Sequence, residues 1–94
     1  MGKVQNMSQG PNSQMVDVHL FAAARAAVGS PFVQVTPGTL ATICAELDAR
    51  YPEFAAVRPR CSFLLDEVAM HGDPASIEIP AGSRLDVLPP FAGG

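Results

Sequence analysis

The sequence predicts an α+β domain, in which a mixed sheet of about five strands packs on one main helix. Segments that alternate apolar and polar residues lie on both sides of one helical segment with an apolar stripe, in the order two strands, one helix and three strands. The chain has 94 residues, 48% hydrophobic and 16% charged, which suits one domain with one core. Because neither the stripe nor one sheet face can be buried alone, we expect the helix to lie across the sheet.

The first two strands are expected in MVDVHLF, residues 15–21, and FVQVT, residues 32–36. In the first, Val16, Val18 and Leu20 alternate with Asp17, His19 and Phe21, a pattern typical of a half-buried strand. The segment between the strands, AAARAAVGS, predicts a turn or a short helical loop of small residues. So brief a connection favours an antiparallel hairpin.

The main helix is predicted in PGTLATICAELDARYPEF. Its apolar residues have the spacing of one helix face, and they are Leu40, Ile43, Cys44, Leu47, Tyr51 and Phe54. Thr39 is the expected N-cap, because a threonine hydroxyl can accept a hydrogen bond from an early helical N–H. Pro52 should end or bend the helix near Tyr51.

Three more strands are expected after the helix. CSFLL and EVAMH read as a hairpin that turns at Asp66-Glu67, and RLDVL is the last strand. The helical crossover between the first strands and the later ones permits parallel pairing, so the sheet should be mixed. The adjacent carboxylates at the hairpin turn have no third ligand at a useful spacing, so we expect no metal there.

Charge and hydropathy exclude several classes of partner. The chain has only six Lys and Arg residues, a net charge of −3 and a pI of about 5.1, so we expect no nucleic-acid partner. No apolar run approaches the roughly 18 residues of a membrane span, and the N-terminus lacks the apolar region of a signal peptide. We therefore expect a cytoplasmic protein that does not enter a membrane.

The motif content predicts no self-contained enzyme. The sequence has no phosphate-binding loop, no GxGxxG and no zinc-ligand spacing, so neither a bound cofactor nor a metal is expected. A cysteine–histidine dyad would have to join Cys44 or Cys61 to His19 or His71. Because both cysteines are expected on core faces, we predict two reduced structural thiols instead.

The chain ends in LPPFAGG, which is unusual for a compact domain. Pro89 and Pro90 fix φ, favour an extended backbone and stop sheet pairing. Gly93 and Gly94 lack a Cβ and can enter a channel too narrow for other residues. We therefore expect an extended tail at 89–94 that presents a main-chain carboxylate to another protein. The domain itself is expected at 15–88, and it follows a flexible N-terminal tail at 1–14.

The order of elements and the terminus LPPFAGG resemble the small subunit of molybdopterin synthase (MoaD-like) and the wider MoaD/ThiS family of ubiquitin-like sulfur carriers. The segment VDVHLFAAARAAVG is similar to that family's opening strand and its Phe-Ala-x-x-Arg segment, and the likeness covers residues 15–94. The Pro-Pro pair favours the molybdopterin branch. Two turns depart from the family pattern, Asp66-Glu67 and 81–84. The resemblance implies a β-grasp (ubiquitin-like) fold.

The resemblance also implies a chemistry at Gly94. An E1-like enzyme would adenylate its carboxylate with ATP, and a persulfide sulfur donor would then convert it to a thiocarboxylate. This non-catalytic small subunit would deliver the sulfur inside a larger synthase subunit, for molybdenum cofactor biosynthesis. Three alternatives remain open: a carrier for thiamine, cysteine or a sulfur-containing metabolite, a ubiquitin-like modifier that joins Gly94 to lysine, and an interaction module that does not use its terminus.

The residues that precede Gly94 are the expected partner contacts. They are Leu88, Pro89, Pro90, Phe91, Ala92 and Gly93. If Leu85 and Val87 face the helix, strand alternation turns Leu88 to the opposite sheet face. Phe91 lies beyond two prolines, and a large aromatic side chain is unfavourable in water unless a partner covers it.

Overall fold

The computed structural model describes residues 14–89, so the predicted contacts from Pro90 to Gly94 and nearly all of the expected N-terminal tail lie outside the described residues. The described part contains the five-stranded mixed sheet that the sequence predicts. Seven strands are assigned: β1 Val16–Leu20, β2 Phe32–Val35, β3 Gly38–Thr39, β4 Ser62–Leu65, β5 Val68–Ala69, β6 Glu78–Ile79 and β7 Arg84–Leu88. The helices are α1 Ala22–Val28, α2 Leu40–Arg50 and α3 Pro52–Val57. Two 3₁₀ turns lie at Arg58–Arg60 and Pro74–Ser76.

The main sheet has the order β2-β1-β7-β4-β5. The first and last strands are paired in parallel at its centre, and the predicted hairpins β1–β2 and β4–β5 are both antiparallel. The segment around Ile79 is not among the predicted strands. It forms β6, which pairs with β3 as a separate two-stranded ribbon. The strand that carries the C-terminus is therefore central, held by β1 on one side and β4 on the other.

The core lies between the sheet and α2. The alternation in β1 is confirmed, since its three apolar side chains are at most 1% exposed, and Leu85 and Val87 of β7 are fully buried. Thr39 caps α2 as predicted: the Thr42 N–H donates to its Oγ1 at 3.1 Å. Of the predicted stripe, Tyr51 is only half-buried and the other members are buried.

Pro52 ends α2 and is the first residue of the next helix, α3. Its φ and its missing N–H suit the first position of α3, so a single non-helical residue, Tyr51, separates α2 from α3. Phe54 therefore belongs to α3, which packs against α1 and α2, and its side chain is fully buried.

The segment AAARAAV forms a helix of seven residues, α1, and is more regular than the predicted loop. It ends at Gly29, whose φ of 86° lies in the left-handed region that glycine adopts at low cost. Its single fully buried side chain is Ala24, which packs into the core. A helix this short is unstable alone, so packing on the sheet and α3 must stabilise it.

Candidate functional site

The predicted tail begins at the end of the central strand. Leu88 is the last residue of β7 and lies opposite Ser62 of β4, and both Leu88 and Pro89 are half-buried. On the other side, the Phe21 N–H donates to the Val87 carbonyl at 3.2 Å, which extends the β1–β7 pairing to the edge of the tail. The first tail residue thus leaves from a position held on both sides.

Leu88 lies on the sheet face away from α2, as the alternation predicts. The register places the outward residues of neighbouring strands side by side: His19 opposite Phe32, and Asp86 between His19 and Leu64. The His19 and Phe32 rings stack with centroids 5.7 Å apart. Leu88, the last strand residue before the predicted tail, therefore contributes its side chain to this outer face of the sheet.

Large apolar side chains gather at the tail end of the outer face. Phe32 is 52% exposed and Phe21 is 37% exposed. Phe32 belongs to β2, Phe21 directly follows β1, and Leu88 ends β7. We call these three residues the apolar patch. Neither aromatic residue is among the partner contacts predicted from the sequence, although alternation in the first strand already predicts that Phe21 faces outward.

The opposite end of the outer face is polar. Arg84 Nε donates to Asp86 Oδ1 at 2.7 Å, and Gln34 Nε2 donates to Asp17 Oδ1 at 2.8 Å. The Asp86 side chain is only 9% exposed although it lies on the outer face. Its hydrogen bond raises the pKa of the Arg84 guanidinium. The outer face is therefore apolar at the end beside Leu88 and charged at the opposite end.

The turn at Asp66-Glu67 supports the polar end. Asp66 and Glu67 have φ of 47° and 73°, which non-glycine residues rarely adopt. The Arg84 N–H donates to Asp66 Oδ1 at 2.9 Å, and the Asp66 N–H donates to the Arg84 carbonyl, also at 2.9 Å. The Asp66 carboxylate therefore stabilises a tight turn against β7.

The two thiols lie away from the outer face. Cys44 is buried in α2, and burial raises the pKa of its thiol to about 11. Cys61 is half-buried, its Sγ donates to the Val57 carbonyl at 3.3 Å, and burial also raises the pKa of this thiol. Both are free, as predicted, and the raised pKa values disfavour the reactive thiolate.

Two depressions open on the described surface. One, of about 510 Å³, lies between α1 and Pro31, and Arg25 is one of its lining residues. The other, of about 360 Å³, lies between α2 and residues 70–77. Cys44 lines the second, and so does an ion pair in which Arg58 Nη2 is 2.8 Å from Asp48 Oδ2.

Within residues 14–89, no three His, Cys, Asp or Glu side chains are grouped so that they could hold a metal ion. In the same part of the chain, no helix has the length and apolar character needed to cross a membrane.

Comparisons with known proteins agree with this architecture. A family model described as the ThiS family matches residues 18–94. A search of curated protein sequences finds no match. Among solved structures, the small archaeal modifier protein 1 from Methanosarcina acetivorans is similar with a TM-score of 0.75 and 21% identity, over 85% of this chain and 96% of that one.

Two further solved structures carry names from molybdopterin synthesis. The putative molybdopterin converting factor subunit 1 from Pyrococcus furiosus is similar with a TM-score of 0.71 and 17% identity, over 84% of this chain and 100% of that one. A chain in the complex of subunits 1 and 2 of the molybdopterin-converting factor from Helicobacter pylori is similar with a TM-score of 0.66 and 19% identity, over 85% of this chain and 99% of that one. These likenesses confirm the β-grasp (ubiquitin-like) fold.

Proposed function

This chain belongs to the ThiS family, and on that premise we propose that it is a sulfur carrier whose Gly94 carboxylate is adenylated and then converted to a thiocarboxylate for molybdopterin synthesis. The observation that carries the proposal is the position of the last strand. β7, which directly precedes the last six residues in the sequence, is central in the sheet and ends at the exposed apolar patch. A partner can therefore bind the patch and receive the terminus in the same encounter.

The chemistry requires activation, because a carboxylate with a pKa near 3.5 is ionised at neutral pH and is a poor electrophile. Attack of the Gly94 carboxylate on the α-phosphate of ATP releases pyrophosphate and forms an acyl-adenylate. A persulfide then attacks the acyl carbon, and AMP leaves with the electron pair. A thiol finally reduces the acyl disulfide, which leaves the thiocarboxylate on Gly94 and a disulfide on the donor side. ATP and the persulfide belong to the partners in this scheme.

Three features favour molybdopterin as the destination of the sulfur. The Pro-Pro pair before the terminal residues is typical of that branch, and two solved structures with this fold are named as subunits of molybdopterin converting factors. The structure from Helicobacter pylori is a complex with a second subunit, which supports a larger synthase subunit as the acceptor here. In that arrangement the small chain supplies the reactive sulfur, and the partner supplies the pocket and the orientation.

The likeness to a small archaeal modifier protein favours a second function, attachment of Gly94 to lysines of other proteins. Both functions begin with adenylation and then differ in the acceptor. Intact-mass measurement after incubation with an E1-like enzyme, ATP and a persulfide donor separates them. Exchange of one oxygen for one sulfur supports the carrier, conjugates on other proteins support the modifier, and an unchanged mass would refute both.

Phe91→Ala should weaken binding to the activating enzyme or the synthase partner by about tenfold or more. Full burial of a phenylalanine in a partner groove contributes on the order of 2–3 kcal/mol, less the entropy of ordering the tail. Titration calorimetry measures the affinity, and thermal unfolding of the same variant should show an almost unchanged melting temperature. A lower melting temperature with normal binding would show that Phe91 packs on its own domain.

A further inference from the structure

The two edges of the main sheet differ in length. β5 forms one edge with two residues, Val68–Ala69, whereas β2 forms the other with four, Phe32–Val35. A strand at an edge leaves backbone N–H and C=O groups that can pair with a strand of another chain, and a very short strand offers few of them. In the described sheet, β2 is therefore the edge that is long enough for such pairing.

The hydrogen bonds between β1 and β2 decide which backbone groups of β2 point outward. The Leu20 N–H donates to the Pro31 carbonyl at 2.8 Å, and the two strands are antiparallel. In an antiparallel pair, every second residue of a strand exchanges hydrogen bonds with its neighbour. Counting from Pro31, the backbone groups of Phe32 and Gln34 therefore point away from β1, along the free edge.

Both outward carbonyls of β2 accept hydrogen bonds from side chains of the same chain. Ser30 Oγ donates to the Phe32 carbonyl at 2.9 Å. Arg50 Nη1 donates to the Gln34 carbonyl at 3.1 Å. Ser30 lies just before the strand, whereas Arg50 is the last residue of α2, so the second contact forms only when the helix packs on the sheet.

The Arg50 guanidinium is held in this position by further contacts. Its Nη1 also donates to Glu46 Oε2 at 3.1 Å, one turn earlier in α2, and its Cζ lies over the Tyr51 ring, 5.5 Å from the centroid. Hydrogen bonds from an ionised donor are stronger than those between neutral groups. A strand that paired with β2 would therefore have to displace a guanidinium with three partners.

The residues of β2 suit a second copy of the same strand. The sequence FVQV carries no charge, so two copies meet without the repulsion that charged edge residues create. Three of its residues are aromatic or β-branched, which favours strands. Two identical strands that pair antiparallel are self-complementary about a two-fold axis.

We propose that the free edge of β2 is a pairing surface for a second copy of this chain, and that Ser30 and Arg50 keep it closed in the native protein. Without these two side chains, the strands pair about Val33, and Phe32 of each copy exchanges backbone hydrogen bonds with Gln34 of the other. Association then stops at two copies, because each chain has one edge of sufficient length. Since Phe32 also belongs to the apolar patch, the closed edge keeps a second copy away from that patch.

The double variant Ser30→Ala/Arg50→Ala should convert a monomer into a dimer. Sedimentation equilibrium should show native protein that is monomeric at micromolar concentration. In the double variant, the dissociation constant of the dimer should fall at least about tenfold, because association no longer breaks a charge-assisted hydrogen bond. Hydrogen exchange at the Phe32 and Gln34 amides should become slower. Each single variant should give a weaker dimer than the double variant.

Arg60→Ala is the control for charge, since it also removes one guanidinium. Arg60 lies shortly before β4, which β1 and β7 separate from β2 in the sheet. This variant should stay monomeric. If it dimerises as strongly as Arg50→Ala, the loss of charge explains the association and the inference is wrong.

Substitution of Gln34 in the double variant locates the interface. Gln34→Pro removes an outward N–H and should restore the monomer, whereas Gln34→Ala keeps that N–H and should leave the dimer intact. Both substitutions remove the hydrogen bond from Gln34 Nε2 to Asp17, so the comparison isolates the backbone donor. Circular dichroism confirms that each variant is folded.

A double variant that stays monomeric would overturn the inference, as would a native protein that dimerises equally strongly. Dimers that persist after Gln34→Pro, or oligomers larger than two copies, would place the association elsewhere and also overturn it. The measurements use this chain alone, without ATP or an activating enzyme. Their outcome is therefore independent of the proposed function, whose failure would appear as an unchanged mass in the enzymatic loading experiment.

Discussion

Deletion of Gly94 should abolish sulfur loading while the melting temperature stays unchanged. The deletion shortens the tail by one residue, about 3.3–3.6 Å of extended chain. A displacement of 1 Å at a reacting centre can already lower a rate about a hundredfold, so the carboxylate of the shortened tail should not reach the adenylation site productively. The fold should be unaffected, because β7 ends six residues earlier, at Leu88. Intact mass after incubation with the activating enzyme, ATP and a persulfide donor measures the loss.

Gly94→Ala is the matched control, since it keeps the length of the tail and adds one methyl group. If the partner channel admits only glycine, this variant should also load poorly. If it loads normally and the deletion does not, the length of the tail is the decisive property. Normal loading of the deletion variant would refute Gly94 as the reactive residue.

Phe54→Ala should have the largest effect on stability, a loss of about 3–5 kcal/mol. The Phe54 ring is fully buried where α3 packs against α1 and α2, so its removal leaves a cavity that three elements surround. A domain of this size loses roughly 4–8 °C of melting temperature for each kcal/mol, so the variant should melt at least about 12 °C lower. Thermal and urea unfolding, followed by circular dichroism, measure the change.

Phe32→Ala provides the comparison at a phenylalanine on the surface. Phe32 is 52% exposed and contacts the His19 ring, so its replacement should change the free energy of unfolding by less than about 1 kcal/mol. If Phe54→Ala is too unstable to purify, Phe54→Leu should still fall between the two. Equal melting temperatures for Phe54→Ala and Phe32→Ala would contradict the assigned packing of α3.

The local features of this chain could be predicted from its sequence because short-range rules determine them. Alternation fixed which side of β1 is buried, Thr39 marked the start of α2, and Pro52 marked its end. The pattern LPPFAGG predicts that the terminus is the functional part, and this stays a prediction, because its last five residues lie outside the described structure. Each of these inferences depends only on residues close together in the sequence.

The tertiary structure alone decided which strands meet and what the outer face presents. The parallel pairing of β1 with β7 joins segments more than 60 residues apart, and no local pattern specifies it. That pairing brings Phe21 beside Leu88 and so creates the apolar patch at the root of the tail. It also places Asp86 at the centre of the sheet, where neighbouring strands and Arg84 cover a carboxylate that alternation alone would leave in solvent. Burial and pairing at these positions depend on contacts between distant segments, which form only when the whole chain has folded.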